Sequence, residues 1–148
     1  MKLKIGDNYK EEFVITQDMV NKFAELSGDK NPLHLDKEFA SQTMFRERIA
    51  HGMWSGSLVS ATLATVMPGP GTIYLNQSLN FLRPVKLGDT LKVTLSATEK
   101  NDEKKTVLFK CRVENQKEEA VVKGDALVIA PTEKISLNKP TLPDIHIG

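Results

Sequence analysis

The chain reads as an α+β domain, an antiparallel curved β-sheet wrapped around a long buried central helix. Three features of the sequence lead there. Between residues 52 and 67, Met53, Trp54, Leu58, Val59, Ala61, Leu63, Ala64, Val66 and Met67 cover nearly every side of a helical wheel. The gaps hold small residues, Ser55, Gly56, Ser57, Ser60 and Thr62. A helix apolar all round is a buried helix, and small side chains let neighbouring elements approach its backbone. At 1.5 Å per residue it is about 24 Å long, enough to cross a small domain. After it the hydrophobic period drops to two, in runs over 72–81, 90–98, 105–115 and 120–130, the mark of half-buried strands. Finally, the order is one short strand, helices, the buried helix and then several antiparallel strands, so helices collect on one face of the sheet.

The elements follow in order. Glu12-Phe13-Val14-Ile15 is a short strand after a turn at Gly6-Asp7-Asn8. Thr16 is placed as the N-cap of a helix whose apolar residues Met19, Val20, Phe23, Ala24 and Leu26 fall on one face. Gly28 stops it as a C′ glycine. A loop over residues 29–34 carries Pro32, which forces Asn31 out of the helical region. A second short helix starts at Asp36 and runs through Phe39 and Ala40, and Arg46, Glu47 and Arg48 are assigned to solvent. Pro68-Gly69-Pro70-Gly71 ends the central helix. Arg83-Pro84-Val85 and Gly88-Asp89 mark a turn, and Asn101-Asp102 and Asn115-Gln116-Lys117 join the later strands as hairpins. The tail from Pro131 carries three prolines and few large apolar residues, and is expected on the surface or loose. No internal repeat is visible, and the 148 residues are read as one domain, 1–148, with a tail over 131–148.

Composition narrows the function. The chain is 40% apolar and 26% charged, with a formal net charge of +1 and no dense Lys/Arg run. Nucleic acid and membrane surfaces therefore have no electrostatic support as partners. The lone Cys111 cannot form an intrachain disulfide, which fits a reducing cytoplasm, and it reads as buried filler in its strand. No Cys/His cluster has zinc spacing. The N-terminal Met1-Lys2-Leu3-Lys4 leads into charged residues without the apolar core of a signal peptide. The 53–67 run is too short and too interrupted by Ser and Thr to span a bilayer.

Two stretches carry chemistry. Ser27-Gly28-Asp29-Lys30-Asn31-Pro32-Leu33-His34 gathers an acid, an amide and an imidazole on a turn stiffened by Pro32. Asp29 and His34 are candidates for a general acid/base pair holding one water, with Asn31 able to orient either partner. The same residues also fit a helix stop followed by an Asx-turn, with His34 an ordinary half-buried histidine. The second stretch, Ala50-His51-Gly52-Met53, opens the central helix. The first backbone N–H groups of a helix lack intrahelical partners, and the dipole's positive end lies there. A glycine lets a carbonyl oxygen approach them, as an oxyanion hole requires; Gly52 as a simple cap is the plainer alternative. His51, Met53, Ser55 and Arg83 are further candidates for substrate contact. Trp54 is more simply core, Arg83 and Lys86 are more simply solvated basic residues, and His146 lies in the tail.

Phe23-Ala24-Glu25-Leu26-Ser27-Gly28-Asp29-Lys30-Asn31-Pro32-Leu33-His34, with Ala40 six residues on, resembles the signature of the R-specific enoyl-CoA hydratases. These belong to the MaoC-like dehydratase family of the hot-dog fold. Ala50-His51-Gly52-Met53 is similar to that family's helix-start segment, and Phe81-Leu82-Arg83-Pro84-Val85 with Gly88-Asp89-Thr90 to its strand-turn-strand segment. The resemblance covers the chain to about residue 130. It implies a sheet as the bun and the 52–67 helix as the sausage, and a homodimer or a dimer-based higher oligomer. It implies reversible syn addition of water to trans-2-enoyl-CoA, giving (3R)-3-hydroxyacyl-CoA. Asp29 and His34 carry over as the catalytic pair and the Gly52 N–H as donor to the thioester carbonyl, with Asn31, Ser27 and Gly28 in support. It implies no metal and no redox cofactor; coenzyme A arrives as part of the substrate. The alternatives are a carrier-protein-linked dehydratase, a hot-dog thioesterase and a non-catalytic acyl-CoA-binding module. A thioesterase does not need the Asp-x-Asn-Pro-x-His loop, and a binder has no use for both Asp29 and His34.

Overall fold

The computed structural model describes residues 3–131; the tail, with His146, lies outside the described residues. Strand β1, Asn8–Val14, follows a turn at Gly6 and leads to Thr16. The Thr16 hydroxyl accepts a hydrogen bond from the Met19 N–H at 3.2 Å, capping α1, Gln17–Ser27. This helix buries Val20 and Ala24 and ends at Gly28, whose φ of 79° is the left-handed conformation that glycine adopts without penalty. Two short helices follow, α2, Pro32–Leu35, and α3, Lys37–Ser41. The Asn31 side chain caps α2 and the Asp36 side chain caps α3. The sequence reading has only the second of these. Asn31 stays extended, as a residue before proline must, and Pro32 then occupies the first helical position, where its missing N–H costs nothing.

The central helix is α4, Gly52–Thr65. Strands β2 (Ile73–Gln77), β3 (Asn80–Phe81), β4 (Thr90–Asn101), β5 (Thr106–Glu114) and β6 (Ala120–Ile129) complete the chain. The sheet is antiparallel in the order β1-β4-β5-β6-β2, with β3 also on β6. Its turns are held by asparagines. The Asn101 side chain accepts from the Lys104 N–H, and that of Asn115 accepts from the N–H groups of Lys117 and Glu119.

Alternation along β4 and β5 points Leu91, Val93, Leu95, Ala97, Val107, Phe109, Cys111 and Val113 inward. Leu58, Val59 and Leu63 of α4 join them in one core cluster. Each such side chain contributes about 1.5–3 kcal/mol by leaving water. This packing holds α4 across the concave face of the sheet and so fixes where its N-terminus stands.

One expectation is corrected here. The run over 72–81 is not one strand: it is split into β2 and β3, with a bulge between Tyr74 and Asn76. The Ser78 backbone presses on β6 at Gly124, where a Cβ would lie 1.8 Å from the Ser78 carbonyl oxygen. The Ser78 hydroxyl takes the Asp125 N–H in place of a regular ladder bond. Within one chain α4 keeps an open side. Ser55, Gly56, Leu58, Val59, Thr62 and Leu63 are buried, while Met53, Ser57, Ala61 and Ala64 are exposed. The open side of α4 adjoins β2, whose Ile73, Tyr74 and Leu75 are also exposed.

Candidate active site

The loop after α1 is built from short-range bonds. The Ser27 hydroxyl donates to the Phe23 carbonyl at 2.7 Å and accepts from the Asp29 N–H at 3.1 Å. Asp29 Oδ1 accepts from the Asn31 N–H at 3.2 Å, and Asn31 Oδ1 accepts from the Leu33 N–H at 3.0 Å. Each polar residue thus folds the backbone just beyond it, as Asx-turns do. The turn chemistry offered as an alternative to a site is present, and it also sets the backbone on which Asp29 and His34 stand.

α2 carries His34 inward. Its side chain is 9% exposed, while that of Asp29 is 53% exposed. His34 Nδ1 lies 2.7 Å from the Ile49 carbonyl oxygen. A carbonyl only accepts, so Nδ1 carries the proton and Nε2 of the neutral ring keeps its lone pair. That Nε2 lies 4.0 Å from Asp29 Oδ2. The separation is too long for a direct hydrogen bond. A water oxygen placed about 2.8 Å from both atoms spans it with an angle of about 90° at the oxygen, an ordinary hydrogen-bonded arrangement.

The start of α4 meets this loop through His51. His51 is 2% exposed, and its Nε2 lies 2.9 Å from the Asp29 carbonyl oxygen, so Nε2 carries the proton. Its ring stacks on His34 with centroids 4.0 Å apart and planes at 31°, and the Phe23 ring meets it edge-on at 4.9 Å. Gly52 follows directly as the first residue of α4, whose first-turn N–H groups have no partner within the helix. The Phe81 ring lies over Gly52, where a Cβ would stand 3.0 Å from its nearest ring carbon.

The remaining candidates separate. Ser55 is fully buried, its hydroxyl makes no hydrogen bond, and it lines a cavity of about 280 Å³ with Gly52, Phe81 and Arg83. Arg83 is already engaged, donating to the Ala120 carbonyl at 2.9 Å with Glu119 Oε2 3.5 Å from its Nε. Met53 lines a different cleft of about 510 Å³ between α1, α4 and β2, with Phe23, Gly56, Tyr74, Leu75 and Leu79. Lys86 pairs with Glu47 at 3.8 Å and stays at the surface.

Asp29, His34 and His51 bring donor atoms within 4.8 Å of one another. Each imidazole has one nitrogen engaged by a backbone carbonyl, which leaves its second nitrogen as a lone pair. Sequence reasoning missed the Ile49 carbonyl and the fastening of His51 to Asp29. Backbone acceptors leave no side-chain signature, and the separation of 22 residues between His51 and Asp29 is bridged only by folding.

Residues 3–119 match the family described as MaoC like domain. The chain is 42% identical over 131 residues to an (R)-specific enoyl-CoA hydratase of Rhodospirillum rubrum, covering 87% of this chain and 89% of that protein. Its fold superposes on an R-hydratase from Pseudomonas aeruginosa with a TM-score of 0.93 at 51% identity, covering 99% of this chain and 94% of that one. The (R)-hydratase of Aeromonas caviae involved in PHA biosynthesis superposes with a TM-score of 0.86 at 38% identity over 88% of this chain and 98% of that one. The split sheet around α4 is thus the hot-dog arrangement of these hydratases, and the chain belongs to the MaoC-like family.

Proposed function

We propose that this protein is a hydro-lyase that adds water to a trans-2-enoyl-CoA, giving (3R)-3-hydroxyacyl-CoA, and catalyses the reverse dehydration. The observation that carries the reading is the Asp29–His34 pair. A carboxylate open to solvent faces the lone pair of a buried, tautomer-fixed imidazole at 4.0 Å, next to the N-terminus of α4. The likeness to enoyl-CoA hydratases supports the substrate class.

In the forward direction a water sits between Asp29 Oδ2 and His34 Nε2. As its oxygen bonds to C3, one of its protons passes to Asp29 and on to the free Nε2 of His34, from which C2 takes it. The C2–C3 π electrons move first onto the thioester oxygen as an enolate and then into the new C2–H bond. Protonation of C2 leaves Asp29 ionised and Nε2 with its lone pair, as at the start. The Gly52 N–H and the dipole of α4 hold the developing charge on that oxygen. Asn31 keeps the loop in shape through its bond to the Leu33 N–H. The scheme assigns no step to a metal or redox cofactor, and coenzyme A enters with the substrate.

We further propose that the working unit is a homodimer, or an oligomer built from it. Met53 at 58%, Ile73 at 55% and Leu75 at 49% exposure form an apolar surface beside β2, which ends the sheet among the described residues. A second copy would cover both the surface and the strand edge. Sedimentation of Leu75→Glu at half the native mass supports this; a native protein already monomeric at micromolar concentration removes it. Among the described residues no helix is long and apolar enough to cross a membrane, and with one buried free cysteine we place the protein in the cytoplasm.

Adding crotonyl-CoA and following loss of the enoyl absorbance tests the activity. The product is expected to be 3R, and Asp29→Asn is expected to lower kcat at least ~10²-fold, the usual scale for an acid/base group. A 3S product, or no turnover of CoA thioesters at any chain length, would sink the reading. Turnover of carrier-protein thioesters alone would reassign the substrate.

A further inference from the structure

We propose that His51 is a positioning residue, one half of a reciprocal clasp that sets the distance between the acid/base pair and the start of α4. The inference rests on the hydratase reading for its kinetic consequence, but not for its geometry.

Two hydrogen bonds join the Asp29 loop to the stretch before α4, and they run in opposite directions. His34, on the loop side, donates Nδ1–H to the Ile49 carbonyl at 2.7 Å. His51, on the helix side, donates Nε2–H to the Asp29 carbonyl at 2.9 Å. Each imidazole therefore holds the backbone of the other's segment. The two rings stack at 4.0 Å, and Phe23 closes one edge of His51. Both histidines are buried.

The His51 bond has a particular effect. The Asp29 side chain is half in solvent, and the Asx-turn bonds around it fix only its own loop. The bond to its carbonyl is what ties residue 29 itself to the residue immediately before Gly52. It fixes the base relative to both the imidazole and the oxyanion donor. Reactions of this kind lose about 10²-fold for a displacement near 1 Å. The clasp also selects tautomers. With His51 Nε2 donating, its Nδ1 is a buried lone pair without a partner. With Nε2 committed to the Asp29 carbonyl, His51 does not touch substrate through that nitrogen. Its role differs from the substrate contact expected from the sequence.

Two variants and one measurement on the native protein test this. His51→Phe keeps a stacking ring and removes the donor; His51→Gln restores an N–H at a similar reach. With crotonyl-CoA, His51→Phe is expected to lower kcat about 10–100-fold with KM changed less than about threefold. His51→Gln is expected to recover most of that loss. Wild-type kcat in His51→Phe, a loss expressed in KM, or a glutamine variant no better than phenylalanine with both folded, would overturn the proposal. Should the variants not fold, ¹⁵N-resolved NMR of the native protein decides. His34 is expected as the Nδ1–H tautomer and His51 as the Nε2–H tautomer, and the opposite tautomer in either ring would overturn the clasp. A native protein that shows these tautomers but hydrates no enoyl thioester would remove the hydratase reading and leave the clasp standing.

Discussion

Replacing His34 in two ways separates what its two nitrogens do. His34→Asn places an amide nitrogen at the same bond distance from the backbone as Nδ1, so it keeps a donor for the Ile49 carbonyl and deletes Nε2. His34→Ala deletes both. In the alanine variant the Ile49 carbonyl, bonded to His34 at 2.7 Å in a buried site, loses its donor, which costs about 1–3 kcal/mol. The stack with His51 at 4.0 Å is lost as well, worth about 0.5–1.5 kcal/mol. Together these come to about 3 kcal/mol, or a fall in Tm of about 10 °C for a chain of this size. In the asparagine variant only the stack is lost, about 1 kcal/mol and about 4 °C. Both variants lack the group 4.0 Å from Asp29 Oδ2. Both are expected to lose at least ~10²-fold in kcat, equivalent to about 2.7 kcal/mol of transition-state stabilisation. Scanning calorimetry and the crotonyl-CoA assay, run on both proteins, give the comparison. An asparagine variant within about threefold of native kcat refutes the role given to Nε2. An alanine variant as stable as native refutes the role given to Nδ1.

Three further outcomes follow from the sheet. Gly124→Ala would set a Cβ 1.8 Å from the Ser78 carbonyl oxygen, which backbone cannot relieve without breaking the Ser78–Asp125 pair of hydrogen bonds; about 2 kcal/mol of stability should be lost, and an unchanged melting curve would contradict the close approach. The Glu114 carboxyl is held below the usual carboxylate range, first by its hydrogen bond from Arg112 at 2.9 Å and then by the charges of Arg112 and Lys92, against the opposing effect of burial. A depressed folded value means stability that is present in full above the unfolded carboxylate range and lost as pH falls through the folded value. Arg112→Met should therefore move the acid-unfolding midpoint to higher pH in a circular-dichroism titration; no movement would sever the link. Burial pushes the Cys111 thiol up to about 11, with Asp125 adding to the rise and the Gln77 hydrogen bond opposing it. At pH 8 only about one molecule in 10³ carries the thiolate, so an aromatic disulfide reagent should label the native protein slowly and the urea-unfolded protein at once. Fast stoichiometric labelling of the native protein would mean that Cys111 is accessible.

Where the sequence was legible, the signal was local. Thr16 and Gly28 bound α1 because a cap and a left-handed stop are properties of single residues and their immediate neighbours. The asparagines of the two hairpins act over two to four positions. Asp29 and His34 could be paired on paper because Pro32 shortens the choices of the five-residue segment joining them. The strand reading that needed correction involves a partner distant in the chain. Ser78 breaks the 72–81 run because Gly124 lets it sit against β6, and no inspection of that run alone would show it.

By itself, then, the sequence determined the α+β class, the central helix, the loop chemistry and the family resemblance, since each is written in periodicity, turn residues or contiguous motifs. The tertiary structure decided the rest of the site. It turned His34 so that its Nδ1–H donates to the Ile49 carbonyl and Nε2 faces Asp29, and it joined that loop to Gly52 through His51. Those contacts close 15 and 22 residues apart in the chain. They use backbone carbonyls that every residue carries, so only the packing of α4 across the sheet selects which carbonyl meets which imidazole.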